Sequence, residues 1–406
     1  MERRSTNSSG GFSLIELLVS LAVGTLIVGA AVQLFTRAMN ATFLVSQRAE
    51  MQQDLRASSD LLFKDLSLAG AGLPSATGIG LPSQAGKPIY GFAPSCAAKN
   101  NCIPGNGIAY PCSSAITPPC VPTLYGLIPG YRMGITVPGS PNPSDAITVV
   151  YTDVVFALPC YTIQTITATA VTVQLPPNPL PASCILTPPL AAPQAVNAAA
   201  VGLTPGDLVL VQSTIATGSA TAVGEVTNVV ANGGGNYTIA FAGGDPLNMN
   251  QPAATSSALP QLACGPAPAP AACPATATAT RIFAISYYLW MMPDPLGVGV
   301  GTPTLMRQVN GQTPVPVQES VVNLQFTYDT YNANGTLLNA IGDGGYSGGT
   351  SFNLIRKINL LHLTTRSQMA GVKSSLGITN GYQTFDTQTS ISARNLSYQN
   401  RYVVTP

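Results

Sequence analysis

Hydrophobic residues follow different patterns along this 406-residue chain, and the first pattern is an apolar run. Residues 17–36 carry no charged side chain, and Glu16 stands at the start of the run. Twenty residues of helix rise about 30 Å, which matches the hydrocarbon thickness of a bilayer. The pattern therefore predicts a membrane-spanning helix from Leu17 to Thr36. A carboxylate at its edge requires water, a headgroup or a partner.

The second pattern continues the helix as an amphipathic segment. Charged residues, Asp65 among them, fill much of its polar surface, and Gly70, Gly72 and Pro74 supply a stop signal. We therefore predict one helix from about Phe12 to Ala69. Apolar residues at spacings of seven and four form its single stripe: Leu44, Met51, Leu55, Leu62 and Leu66.

The third pattern is the alternation of apolar and polar residues typical of half-buried strands. It begins at Asp145 and returns in the runs 206–213, 222–230 and 236–243, which predict three strands of one small antiparallel sheet joined by Gly-rich turns. Further strands are predicted in "RIFAISYYLWMM", "TLMRQV", "ESVVNLQFTYDTY" and "NLIRKINLLHLTTRS". The predicted class is α+β: a long helix packed on an antiparallel sheet, with a second β-rich lobe.

Two Pro/Ala-rich stretches, 176–193 and 252–280, interrupt the strand patterns. The second is a low-complexity sequence of Pro, Ala and Thr, and such composition does not favour a packed core. We therefore expect 252–280 to be an exposed loop.

Composition limits the classes of partner. Charged residues make up 8% of the chain against about 25% in an average soluble domain. The formal net charge is +1, so bulk electrostatics would not recruit nucleic acid or an acidic membrane. Arg3 and Arg4 before the span are matched by Arg37 and Arg48 after it, so charge alone does not set the orientation.

The cysteines indicate an oxidising compartment. An even count of eight, with a single histidine in the chain, favours disulfides over mixed Cys/His zinc sites, and it places the body outside the cytoplasm. We expect sequence neighbours to pair, although eight cysteines allow many connectivities and an all-reduced set stays open. The candidates are Cys96 with Cys102, Cys112 with Cys120, Cys160 with Cys184, and Cys264 with Cys273.

Catalytic patterns are weak, and we predict no enzyme, cofactor or metal. Residues 345–349 fit G-x-S-x-G, but Ser347 lies in a glycine-rich turn, and the motif needs a strand before it and a helix after it. The available base, His362, is embedded in a strand pattern, and no acid lies between Ser347 and His362. We interpret His362 as a structural residue.

A family resemblance appears at Gly11-Phe12-Ser13-Leu14-Ile15-Glu16. Together with the basic leader and the long helix, it resembles the prepilin processing site of type IV pilins and type II secretion pseudopilins. The resemblance implies that a prepilin peptidase removes the leader 1–11, that Phe12 is then methylated, and that Glu16 meets the amino group of a neighbouring subunit. Residues 12–70 would form the pilin helix and 71–406 the globular body.

The strand motifs from 144 to 367 occur in an order that resembles PilW-type minor pilins, and the last of them resemble the J-type minor pseudopilin. This implies a minor pilin that primes pilus assembly at the tip. Its partners would be other pilins, the peptidase and, before assembly, the inner membrane, with DNA at the tip as the one nucleic-acid contact considered. The alternatives are a secretion pseudopilin, a tip adhesin or DNA-capturing surface, and a membrane-anchored periplasmic enzyme.

Overall fold

The computed structural model begins with one long helix, α1, at Leu14–Ser67. The structure describes residues 13–73, 79–82, 123–130, 132, 134–153, 155–156, 158–178, 184, 193–199, 202–215, 218–254, 257–266, 272–294, 299, 301–331, 336–341, 352–367, 382–392 and 395–396. Helix α1 lies within two residues of its predicted bounds. It ends where Gly70 and Gly72 adopt positive φ angles of 76° and 71°, which glycine adopts at little cost.

Seventeen strands follow the helix among the described residues, and every observed pairing is antiparallel. This confirms the predicted α+β class. The strands are β1 (Ile79–Gly80), β2 (Thr123–Leu124), β3 (Leu127–Gly130), β4 (Ala146–Thr152), β5 (Thr162–Ile166), β6 (Ala170–Gln174), β7 (Leu208–Ile215), β8 (Gly218–Glu225), β9 (Asn228–Gly233), β10 (Asn236–Ala240), β11 (Thr278–Met292), β12 (Thr302–Val309), β13 (Val315–Gln318), β14 (Val321–Tyr331), β15 (Leu337–Ile341), β16 (Ile355–Arg366) and β17 (Thr384–Ser392).

The central sheet has seven strands, built around the 15-residue strand β11. On one side β11 pairs with β4, which pairs with β3. On the other side its first part pairs with β7 and its last part with β12, so β8 and β13 extend the sheet at two places along the same edge. One long strand thereby joins two groups of shorter ones.

Three smaller sheets complete the fold of the described residues. Their strand orders are β5-β6-β10-β9, β15-β14-β16-β17 and the short pair β1-β2. The turn between β9 and β10 is one of the predicted Gly-rich turns, and its Gly233, Gly234 and Gly235 all have positive φ.

The strand predictions after residue 200 were wrong in two respects. The run 222–230 is the end of β8 and the start of β9, because the chain turns between Glu225 and Asn228. The predicted small sheet does not exist as one unit, since β7 and β8 extend the central sheet while β9 and β10 join β5 and β6. Alternation identified the strands but did not identify their partners.

The prediction of a purely exposed loop at 252–280 is also wrong. Leu259, Leu262 and Cys264 are buried in a hydrophobic cluster with residues of β5, β6, β7 and β10. The segment ends inside β11, where Ala279 is 1% exposed. The few large apolar side chains of a Pro/Ala-rich sequence are therefore enough to place it against a sheet.

Helix α1 is divided between two compact units. One contains Met1–Gln53 with Ser367–Gln383, and the other contains Asp54–Arg366 with Thr384–Pro406. In the second unit, Leu55, Leu62, Leu66 and Ala69 share a core with residues of β3, β4, β11, β12, β14 and β16. The C-terminal part of the helix is thus a core element of the β-rich body.

Candidate assembly interface

The N-terminus of α1 is closed by a reciprocal hydrogen-bond pattern between Ser13 and Glu16. The backbone amide and the hydroxyl of Ser13 each donate to Glu16 Oε2 at 3.1 Å. The Glu16 amide donates back to Ser13 Oγ at 3.3 Å. This is a capping box, in which two otherwise unpaired helix amides find side-chain acceptors. The carboxylate that looked anomalous in the sequence therefore has intrahelical partners.

The first half of α1 presents apolar side chains outward. Leu14 is 80% exposed and Leu34 is 73% exposed, and large apolar residues remain exposed as far as Val45. By length and composition this helix is the one described element able to cross a membrane. Such a surface is stable in lipid or among other apolar helices, because in water it would be costly.

Hydroxyl groups within the apolar run are satisfied by the helix itself. Ser20 Oγ donates to the Leu17 carbonyl at 2.9 Å, and Thr25 Oγ1 donates to the Ala22 carbonyl at 2.8 Å. Thr36 repeats the contact with Val32. These bonds to the preceding turn let polar residues enter a hydrocarbon layer without an unpaired donor.

The predicted apolar stripe is buried in the second half of the helix. Leu62 and Leu66 are fully buried, Met51 and Leu55 are nearly so, and Leu44 is half-buried. Asp65 was assigned to the polar surface, and that assignment is wrong, because its side chain is only 4% exposed. A carboxylate on the buried face requires a partner.

Arg307 of β12 and Tyr287 of β11 are the partners of Asp65. Arg307 Nε lies 2.7 Å from Asp65 Oδ2, and the Tyr287 hydroxyl donates to the same oxygen at 2.6 Å. The cluster joins the last turns of α1 to two neighbouring strands of the central sheet. It fixes the helix to the body by charge and geometry as well as by apolar packing.

Within the cluster, the pKa values of Tyr287 and Arg307 are raised. Burial, reinforced by the hydrogen bond and charge of Asp65, raises the pKa of Tyr287. Burial and the Asp65 charge also raise the pKa of the nearby Tyr151 to about 12. For Arg307, burial lowers the pKa, but the bond to Asp65 outweighs it and the net pKa is raised. Arg307 therefore keeps its positive charge at neutral pH.

Several predicted site residues lie outside the described residues. Gly11 and Phe12, the predicted cleavage and methylation site, are among them, as are Cys96, Cys102, Cys112 and Cys120. The structure contains the disulfides Cys160–Cys184 and Cys264–Cys273. The second disulfide closes a loop within the 252–280 segment, and the segment meets the body there, because Cys264 belongs to the buried cluster beside β5 and Cys273 Sγ lies 3.4 Å from the Gln164 carbonyl.

The catalytic candidate is not assembled in the described part of the chain. His362 lies on β16, where its Nδ1 is 2.8 Å from Asp386 Oδ2 on the neighbouring strand β17. Thr364 donates to the other oxygen of Asp386. Ser347 lies outside the described residues, and within those residues no group of three or more His, Cys, Asp or Glu side chains could hold a metal ion.

Sequence reasoning missed three residues that position the helix. Ser13 carried a readable signal, because S-x-x-E before an apolar run is the sequence form of a capping box. Tyr287 and Arg307 carried no such signal. They lie more than 200 positions from Asp65, and only the packing of α1 against β11 and β12 brings them together.

The comparisons with known proteins locate similarity at the N-terminus alone. Residues 6–32 match the family described as the prokaryotic N-terminal methylation motif. No curated protein and no solved structure gives a significant match to the chain. The motif and the apolar helix together indicate a type IV pilin-like or pseudopilin protein that is anchored in a membrane before assembly.

Proposed function

We propose that this type IV pilin-like protein is a minor pilin, which inserts its helix into the core of a type IV pilus and takes part, near the tip, in priming pilus assembly. The premise is the methylation motif at residues 6–32, which implies prepilin peptidase processing and assembly with other pilins. The proposal adds a position and a role within the filament, drawn from the resemblance to PilW-type proteins.

The observation that carries the proposal is the change in environment along α1. Up to Val45 the helix exposes apolar side chains, whereas Leu62 and Leu66 are fully buried in the body. A plain membrane anchor does not require the end of its helix to be part of the core of the folded domain. A filament subunit benefits from this arrangement, because one continuous helix then supplies both an apolar surface for other subunits and part of the core of the body.

Glu16 supports the same interpretation. Its carboxylate stands at the end of the apolar surface, next to the amino terminus that cleavage after Gly11 would create. An ammonium group from a neighbouring subunit would give the Glu16 carboxylate a partner of opposite charge, whereas the Ser13 amide and hydroxyl are neutral donors. Assembly would then be favoured over the isolated membrane form.

The N-terminal mass of the protein provides the first test. We expect loss of residues 1–11 and a methyl group on Phe12 when the protein is produced with its prepilin peptidase, and an unprocessed N-terminus without it. An intact Met1 in both cases, or a cut after Phe35, would contradict the proposal and would favour an anchor or a signal peptide.

Filament isolation separates the pilus from the secretion alternative. A minor pilin should appear in sheared surface pili and be required for their normal number. A secretion pseudopilin should stay with the cell envelope, and its deletion should block secretion while leaving pili intact. The tip-adhesin alternative places the adhesive surface on the cystine-tied insertions, and deletion of residues 252–280 would be its test. Since that segment supplies Leu259 and Leu262 to the core, its deletion would damage the fold as well.

A further inference from the structure

Two buried carboxyl groups lie against each other far from the helix. Glu225 is the last residue of β8 and Asp245 lies in the segment after β10, with exposed fractions of 2% and 7%. The two side chains are within hydrogen-bonding reach of each other. Two ionised carboxylates in such a place would repel each other strongly, so the pair must lower its charge or gain a cation.

The hydrogen-bond donors around the pair show which group keeps its charge. Asp245 Oδ2 accepts the Met249 amide at 2.6 Å, and Oδ1 accepts the Asn250 amide at 3.0 Å. Glu225 Oε1 accepts from Gln312 Nε2 at 3.0 Å, whereas Glu225 Oε2 is buried with no donor. The amides of Met249 and Asn250 stabilise a carboxylate on Asp245. Glu225 receives a backbone contribution from Leu247 that burial and the charge of Asp245 outweigh, so Asp245 is the charged member. An oxygen that receives no donor can be a hydroxyl that gives one.

We propose that Glu225 and Asp245 share one proton, held on Glu225 Oε2 and donated to Asp245, and that this buried proton-binding site fastens segment 243–251 to the body. The site does not depend on the proposed pilus role. The two carboxyl groups together hold one proton and carry one negative charge.

Segment 243–251 is a structural part of the body that this proton would hold in place. Leu247 and Met249 are 0% and 1% exposed and belong to a core cluster with residues of β4, β7, β8 and β11. The Asn250 side chain accepts from the Glu225 amide at 2.9 Å and donates to the Glu225 carbonyl at 2.7 Å. Loss of the shared proton would therefore disturb both the end of β8 and the core beneath it.

The pair responds to pH in a direction fixed by its surroundings. Burial, followed by the charge of Asp245, raises the pKa of Glu225 from 4.5 to about 8, and burial also raises the pKa of Asp245. Gln312, in the turn after β12, faces Glu225 and carries no charge. Asp207, just before β7, has its own cationic partner, because Arg281 Nη1 lies 3.5 Å from its carboxylate. The pKa of Glu225 is higher in the folded protein than in the unfolded chain. The contribution of the pair to the stability of the fold is therefore complete below about pH 4.5, and it is lost as the pH rises towards 8.

Glu225→Gln provides the first test, with the full-length protein in detergent micelles. The amide keeps a donor towards Asp245 and carries no charge, so we expect the variant to melt several degrees higher than wild type at pH 8 and equally at pH 4.5. Glu319→Gln is the matched control, because Glu319 is exposed, and it should keep the pH dependence of wild type. Equal pH dependence in wild type and Glu225→Gln would contradict the proposal.

Amide hydrogen exchange in the wild-type protein tests the same site without a variant. After correction for the intrinsic rate, protection at Met249 and Asn250 should fall between pH 6 and pH 9, while the amides of β14 and β16 keep theirs. Unchanged protection at Met249 would overturn the proposal. So would a rise in melting temperature on adding calcium that Glu225→Gln abolishes, because the pair would then be a cation site.

Discussion

Glu16 shows how one side chain can serve two environments. In the isolated helix its carboxylate accepts from the amide and the hydroxyl of Ser13, so that the Ser13 amide has an acceptor at the start of the span. In a filament, the same carboxylate would meet an ammonium group. We therefore expect Ser13 to support the free helix and Glu16 to support assembly as well.

Substitution of the two residues should give different phenotypes. Ser13→Ala removes the hydroxyl of the cap, worth about 1 kcal/mol, and we expect a lower level of membrane-anchored protein, with Ser13→Thr as the control that keeps the cap. Glu16→Gln keeps an oxygen for the cap, so its membrane level should be normal while its incorporation into filaments falls. Immunoblots of membrane and sheared-pilus fractions provide the measurement. A loss of incorporation in Ser13→Ala at a normal membrane level would contradict this division of roles.

At the scale of elements, α1 is a single helix whose two halves have different surroundings. Exposed apolar side chains mark its first half, and the buried stripe and the ion pair of Asp65 mark its second half. Burying an ion pair gains little net stability, but breaking one leaves a charge without its partner. The Asp65 cluster is therefore expected to fix where the helix lies on the sheet.

Asp65→Asn should lower the free energy of unfolding by about 3 kcal/mol, because Arg307 loses its counter-charge while the side-chain volume stays the same. Asp60→Asn is the matched control, since Asp60 is exposed on the same helix and its substitution should have little effect. Denaturant unfolding of the two variants measures the difference. Equal stability of both variants would show that the ion pair does not anchor the helix.

The 252–280 segment gives a second prediction at this scale. Leu262 is 2% exposed, so Leu262→Ala should cost about 2–4 kcal/mol, as other buried Leu substitutions do. Leu337 is 43% exposed, and Leu337→Ala should be close to neutral. If thermal unfolding gave equal shifts for the two variants, the segment would not be part of the core.

At the scale of the whole molecule, size bears on the place in the filament. A 406-residue subunit would crowd a filament built only of itself, since the helices in a filament core lie close together. The protein should therefore be a small fraction of sheared pili, well below the major pilin, when measured by quantitative mass spectrometry. An amount equal to that of the most abundant pilin would contradict a minor role.

The sequence by itself determined the helix, many of the strands and the methylation motif at the N-terminus. Local spacing predicted the bounds of α1 to within two residues, the buried stripe and the strands β4, β7, β10, β11, β12, β14 and β16, because periodicity depends on neighbours along the chain. The methylation motif is equally local, since its residues are consecutive. Gly11 and Phe12 stay predictions that the N-terminal mass will test.

Only the tertiary structure decided which distant residues meet. Asp65 looked like a surface charge until Arg307 and Tyr287 approached it across more than 200 positions, and Glu225 gave no sign of its contact with Asp245. The partners of β7 to β10 were also undetermined, because alternation fixes the face of a strand and leaves its neighbours open. Long-range pairing and the burial of charge are properties of the packed core, and no local pattern encodes them.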